Sequence, residues 1–203
     1  MIAALFVEEG GTYFGIPDVD PWPESRDARL YAGPWPVIAH PPCARWCKLA
    51  GLVEHRYGIK RHEDGGCFAS ALASVRRWGG VLEHPAYSDA WWTFSLPRPP
   101  PSGGWVRGID GGWACHIEQG AYGHRAPKPT WLYAHGVPSL PSLRWGPSGA
   151  SARLNSWYTG NDESERRTRV EFMDSKGERS ATPPAFRDVL LEIARSVPQE
   201  RAA

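Results

Sequence analysis

Two side chains stand where they could act on one substrate. Cys43 closes the stretch "VIAHPPC", and Glu83 lies in "GVLEHP" forty residues later. Each sits at the end of a short, continuous apolar run, the pattern of a strand buried inside a parallel sheet. In open α/β sheets, ligands bind beyond the carboxyl ends of the strands. Pro41 and Pro42 restrict the backbone ahead of the thiol, which suits a nucleophile that must meet one atom of a substrate. Such a thiolate needs cations or helix N-termini nearby. A glutamate beside it could exchange a proton with a ring nitrogen of the substrate. The same residues also fit a plainer reading, with Cys43 a buried structural thiol and Glu83 a helix cap.

The elements that would position this pair are legible in outline. Residues 2–7, "IAALFV", read as a first buried strand rather than a signal peptide, because no basic leader precedes them and Glu8 follows at once. Residues 20–36, rich in Pro, Asp and Arg, read as loop, and "PVIAH" as the next strand. Residues 64–78 predict a helix with Phe68, Ala71, Leu72, Val75 and Trp78 on one face, ended by Gly79 and Gly80. "GVLEH" follows as a strand, so the centre of the chain is a crossover unit and the fold is α/β. Residues 97–112 read as a Pro/Gly loop, "WACHIEQ" and "TWLYAHG" as two strands, and residues 183–197 as an amphipathic helix with proline in its first turn. This gives a catalytic core over residues 1–136, a small recognition-like lobe over 137–180, and a closing segment over 181–203 that returns to the core.

Composition narrows the class. The 203 residues, 41% hydrophobic, suit one core, and a net charge of +1 gives no overall field for nucleic acid. No apolar run reaches the roughly 18 residues of a membrane span. The four cysteines read as free thiols of a cytosolic protein, in a bacterium or a phage-infected host. His40, Cys43, Cys47, His62 and Cys67 offer zinc ligands, but paired Cys-x-x-Cys knuckles are absent. The basic group Arg166, Arg167 and Arg169 sits among acids, as a salt-bridged surface or as phosphate contacts. Trp46, Trp91 and Trp92 could pack in the core or stack on a base.

Several stretches, in order, resemble the cytosine carbon-5 DNA methyltransferases. "PPCARW" resembles their Pro-Cys loop and "LEHP" their Glu-Asn-Val segment. "AYGHRAPKPTWLYAHG" resembles the segment with a Tyr/Phe-Gly pair before a Gln-x-Arg-x-Arg, and "SATPPAF" the closing Pro-Pro element. "LFVEEGG" resembles the glycine-containing loop that holds S-adenosylmethionine. The likeness is greatest to the short, phage-type members. It implies a Rossmann-like methyltransferase sheet, with DNA or a pyrimidine nucleotide as substrate and S-adenosylmethionine as cofactor. Cys43 would add to carbon 6 of cytosine and Glu83 would hold N3. Pro42, Arg45, His84, Arg125 and Lys128 would meet the substrate. Phe6, Gly10, Gly11, Asp20 and Pro41 would meet the cofactor. The chain departs from the pattern at Glu8 (for the first loop glycine), His84 (for Asn), Ala126 (for Gln) and Thr130 (for the second Arg). A related alternative keeps the Cys/Glu pair but joins another electrophile to a pyrimidine. A further one is a non-catalytic homologue that binds DNA or counters restriction.

Overall fold

A computed structural model describes residues 1–48, 50–152, 173 and 175–198. A seven-stranded mixed sheet forms the centre, in the order β2-β1-β3-β4-β7-β6-β5. The strands are β1 (Ile2–Leu5), β2 (Val19–Trp22), β3 (Val37–Ala39), β4 (Gly80–Pro85), β5 (Trp105–Arg107), β6 (Trp113–Glu118) and β7 (Pro129–His135). The first four run parallel, and β7, β6 and β5 continue the sheet antiparallel. The helices are α1 (Ala50–Tyr57), α2 (Cys67–Trp78), α3 (Asp89–Thr93), α4 (Lys176–Ser180) and α5 (Pro184–Arg195). No helix among the described residues is long and apolar enough to cross a membrane.

The period of two along each strand sorts the core into two layers. Ala3, Leu5, Val37, Ala39 and Leu82 face α2, whose Phe68, Ala71, Leu72 and Val75 are buried against them. Ile2, Ala4, Ile38 and Val81 face the other way, onto Phe186, Leu190, Leu191 and Ile193 of α5. The predicted helical faces are therefore the buried ones, except that Trp78 is only half-buried. Cys115 is fully buried in the α5 layer.

Two strands lie where the sequence reads as loop. β2, "VDPW", contains Pro21, a poor strand residue. It is the sheet's edge, where a missing N–H costs least, and pairing with β1 overrides its weak propensity. β5, only three residues inside the Pro/Gly stretch, closes the opposite edge against β6. Residues 137–152 are joined to the core: Leu143 is buried in the α5 layer, and the Trp105 indole donates to the Pro141 carbonyl at 3.1 Å. The Arg166, Arg167 and Arg169 group lies outside the described residues.

Strand order reverses at β1, which has β2 on one side and β3 on the other. At such a switch point the connections leave in opposite directions and open a crevice at the strands' carboxyl ends.

Candidate active site

The loops leaving β1, β3 and β4 meet at that crevice and wall a cavity of about 1200 Å³. Phe6, Val7, Gly11, Thr12 and Tyr13 come from the first loop and His40, Pro41, Pro42 and Cys43 from the second. Glu83 comes from β4, Lys128 from the segment before β7, and Ala181 and Thr182 from the approach to α5. Pockets that hold one drug-sized ligand measure roughly 300–1000 Å³, so this cavity lies just above that range.

Local geometry fixes these groups. Phe6 (φ 58°) and Lys128 (φ 46°) hold left-handed backbone, which costs about 1–3 kcal/mol each and concentrates at functional sites. After Phe6 the chain turns tightly: the Gly11 N–H donates to the Glu8 carbonyl at 3.0 Å, and Gly10 has φ +66°. His40 extends the β3 ladder by donating its N–H to the Leu5 carbonyl at 3.0 Å. Cys43 then opens a helical turn, its carbonyl accepting from the N–H groups of Trp46 (2.9 Å) and Cys47 (3.0 Å).

Glu83 is held from both sides. His40 Nδ1 lies 2.9 Å from Glu83 Oε2, and Gln119 Nε2 donates to Glu83 Oε1 at 3.0 Å. Behind His40, its Nε2 lies 2.8 Å from the Tyr13 hydroxyl. Behind Gln119, the same amide nitrogen donates to Thr130 Oγ1 at 3.0 Å, and that hydroxyl donates to the Lys128 carbonyl at 3.0 Å. Burial pushes the Glu83 carboxyl up, but the His40 hydrogen bond, then the electrostatic pull of His40, Lys128 and His84, together outweigh it. The net result lies below the ordinary carboxylate value. Cys43 goes the other way. Burial, then Cys47 and Glu83, push its thiol up to about 11, against the pull of Lys128. Burial also lowers the Lys128 ammonium, opposed by Glu83 and Cys43. Lys128 Nζ donates to the Ser180 and Ala181 carbonyls, both at 2.9 Å, and so ties the C-terminal end of α4 to the cavity wall. The resting site thus holds a neutral thiol, a carboxylate and a lysine close enough to feel one another.

Of the residues expected at the site, Cys43, Glu83, Pro41, Pro42, Phe6, Gly11 and Lys128 line the cavity. Five do not. His84, next to Glu83 on β4, points to the opposite face because strand side chains alternate. It is fully buried between Phe68 (5.1 Å) and Trp91 (6.4 Å). Asp20 is on β2, but its carboxylate is taken by the Trp22 indole (2.8 Å) and Arg26. Asp18, just before β2, pairs with Arg195 at 2.7 Å. The Arg125 guanidinium pairs with Glu178. Arg45 is half-buried beyond the Cys43 turn, its carbonyl accepting the His62 N–H at 3.1 Å. Gly10 shapes the turn without lining the cavity. Trp46 and Trp91 are core, with the Trp46 ring stacked on His62 at 4.8 Å, whereas Trp92 is 64% exposed beneath Arg98. Glu8, the departure in the first loop, is an exposed part of the cavity wall and leaves the cavity open.

The contributors that residue spacing did not pick out as partners of Glu83 are Tyr13, His40, Gln119 and Thr130. His40 had a visible signal, three residues before Cys43, but it read only as a metal ligand. Among the described residues no group of three His, Cys, Asp or Glu side chains gathers to hold a metal ion. Comparison with protein-family models, curated proteins and solved structures gives no match, so the reading of the site stands on its geometry.

His84 carries a stability prediction. Burial lowers its ring from 6.5 to about 4, partly offset by Glu83 and the Pro42 carbonyl, and neither ring nitrogen has a well-formed hydrogen bond. As pH falls below about 6.5, the unfolded chain binds a proton at this ring and the folded chain does not. Stability is therefore lost between about pH 6.5 and 4, by roughly 3 kcal/mol in full, and is unaffected above. Urea midpoints measured from pH 4 to 8 should show this slope, and His84→Leu should flatten it. An unchanged slope in the variant would assign the acid sensitivity elsewhere.

Proposed function

We propose that the protein is an enzyme that modifies cytosine in DNA at carbon 5 through a covalent Cys43 adduct. The observation that carries this reading is that Cys43, Glu83 and Lys128 share one cavity at the carboxyl ends of β3 and β4 and the start of β7. The ordered sequence stretches that resemble the carbon-5 methyltransferases support it. So does the presence of a strand beside β1, in the short segment between the first loop and the Pro-Cys loop.

Cys43 adds to carbon 6 of the ring, giving up its proton as the S–C bond forms. Glu83, with one protein donor on each oxygen, keeps lone pairs for the cytosine edge: the 4-amino group donates to it, and so does N3–H once N3, an acceptor in the neutral ring, has taken up a proton. That edge matches a carboxylate, whereas the carbonyl at position 4 of uracil or thymine does not. Lys128 offsets the negative charge of the site. A duplex base has to leave the stack to reach the thiol.

S-adenosylmethionine is the methyl donor in this reading, and the residues present fit it in outline. The turn over residues 6–13 closes on itself, since a Cβ on Gly11 would lie 2.9 Å from the Glu8 carbonyl oxygen of the same turn, and its Phe6, Gly11 and Thr12 line the cavity. Phe6, Thr12 and Pro41 would hold the cofactor, and Glu8 is positioned to meet an ammonium. Asp20, held by the Trp22 indole and Arg26, does not line the cavity. When bound, the cofactor supplies an electrophilic methyl group.

The test is incubation with DNA containing 5-fluorocytosine and S-adenosylmethionine, followed by mass spectrometry of the protein. A stable adduct on the Cys43 peptide is expected. No adduct with 5-fluorocytosine in duplex DNA, single strands or free nucleotide would overturn the proposal. An adduct with free nucleotide alone would reassign the substrate.

A further inference from the structure

The residues behind Glu83 form a chain more elaborate than a carboxylate needs merely to stay ionised. Tyr13 reaches His40 Nε2 at 2.8 Å, and His40 Nδ1 reaches Glu83 Oε2 at 2.9 Å. The three come from separate segments: the loop after β1, the residue after β3, and β4. All three line the cavity. The second oxygen, on Gln119, is anchored by a group that cannot carry a proton. One side of Glu83 is thus a fixed support and the other leads to a titratable ring.

We propose that Tyr13 and His40 are the positioning and proton-relay residues of Glu83, an inference that rests on the covalent reading above. The Tyr13 hydroxyl donates to Nε2 and so fixes His40 as the Nδ1–H tautomer, which donates to the carboxylate. During addition, the S–H proton of Cys43 passes to the His40–Glu83 pair as the S–C6 bond forms. The pair delivers one proton to N3 as the C5–C6 π electrons shift into the ring. The pair ends with the protons it started with, and no external acid is consumed. His40 lets the pair hold the extra proton between the two transfers, which a lone carboxylate of lowered basicity does poorly.

The charged and titratable groups around this chain are few. Lys128 and His84 act on Glu83, and Cys47 and Lys128 act on Cys43. Arg187 and Asp188 of α5 act on Tyr13, and Arg187 also donates to the Thr12 carbonyl at 3.0 Å. Burial keeps Tyr13 a phenol, able to donate throughout.

The experiment measures the rate of adduct formation on 5-fluorocytosine DNA from pH 5.5 to 9.5 for the wild type, His40→Gln and Tyr13→Phe. The tautomer of His40 is read separately by ¹⁵N NMR of the ligand-free protein. His40→Gln keeps a side-chain donor but cannot carry a proton. It is expected to slow the adduct by about 10²-fold and to remove one limb of the wild-type pH profile. Tyr13→Phe should cost less and move that limb. The NMR spectrum should show a single Nδ1–H tautomer that becomes mixed in Tyr13→Phe. A His40→Gln profile parallel to the wild type at every pH would leave His40 a structural support and overturn the relay. An Nε2–H tautomer in the wild type would overturn it also. If the wild type itself forms no adduct, the covalent reading fails, and the tautomer alone decides whether the Tyr13–His40–Glu83 wiring exists.

Discussion

Cys43→Ala is expected to remove the proposed covalent adduct formation, with a loss of at least about 10³-fold, while the thermal melt stays within a few degrees of the wild type. The chemical part follows from the reading of Cys43 as the nucleophile: without it no S–C bond forms, and removing a nucleophile leaves only what binding and orientation provide. The structural part follows from where the turn gets its hydrogen bonds. Trp46 and Cys47 bond to the carbonyl of Cys43, not to its sulfur, so alanine keeps them. A second measurement needs no substrate. With its thiol pushed up to about 11, Cys43 in the ligand-free protein is roughly one part in 10⁴ thiolate at pH 7. Iodoacetamide should label it slowly there, and about tenfold faster for each pH unit up to about 10. Labelling of Cys43 at the rate of an ordinary exposed thiol at pH 7 would contradict this. It would mean that the ligand-free site already stabilises the anion.

Gly80→Ala is expected to cost about 4 kcal/mol or more, a melting shift on the order of 10 °C for a domain of this size. Gly80 opens β4 with φ +121°, where only glycine is at ease, and an added Cβ would sit 1.9 Å from the Val37 carbonyl oxygen and 2.8 Å from that residue's carbonyl carbon and nitrogen. These are backbone atoms of the partner strand, so no rotamer change relieves the clash. Either β3 and β4 separate or the start of β4 shifts. Val37 pairs with Gly80 in the sheet, and its N–H bonds to the Gly79 carbonyl at 2.9 Å. The damage therefore reaches the two strands that deliver Cys43 and Glu83. Gly10→Ala is the control. It also has positive φ, +66°, but nothing lies within 4 Å of the added Cβ, so about 1 kcal/mol of backbone strain is expected. If the two variants melt together, close strand approach is not what Gly80 provides.

The chain's own pattern went far toward the fold's centre. "VIAHPPC" and "GVLEHP" are short buried runs joined through a helix of clear period, and that combination admits parallel strands and little else. Their ends had to lie on one edge, because parallel neighbours carry their carboxyl termini together. The edges of the sheet were less legible. β2 has a proline and an aspartate among its four residues and forms because β1 offers a ladder to pair with. That is a contact made at a distance, to which local propensity is blind.

Within the site, the sequence by itself determined where Cys43, its proline-stiffened loop and Glu83 lie, since each is tied to the end of a readable element. Only the tertiary structure decided their partners. Alternation along β4 sent His84 to the far face, and salt bridges took Asp20 and Arg125 elsewhere. His40, with Tyr13 behind it, and Gln119 converge on Glu83 from separate segments. Strand-end placement is a local property, set by period and punctuation along the chain. A hydrogen-bonded network is a property of distances between segments, and these exist only once both faces of the sheet are packed.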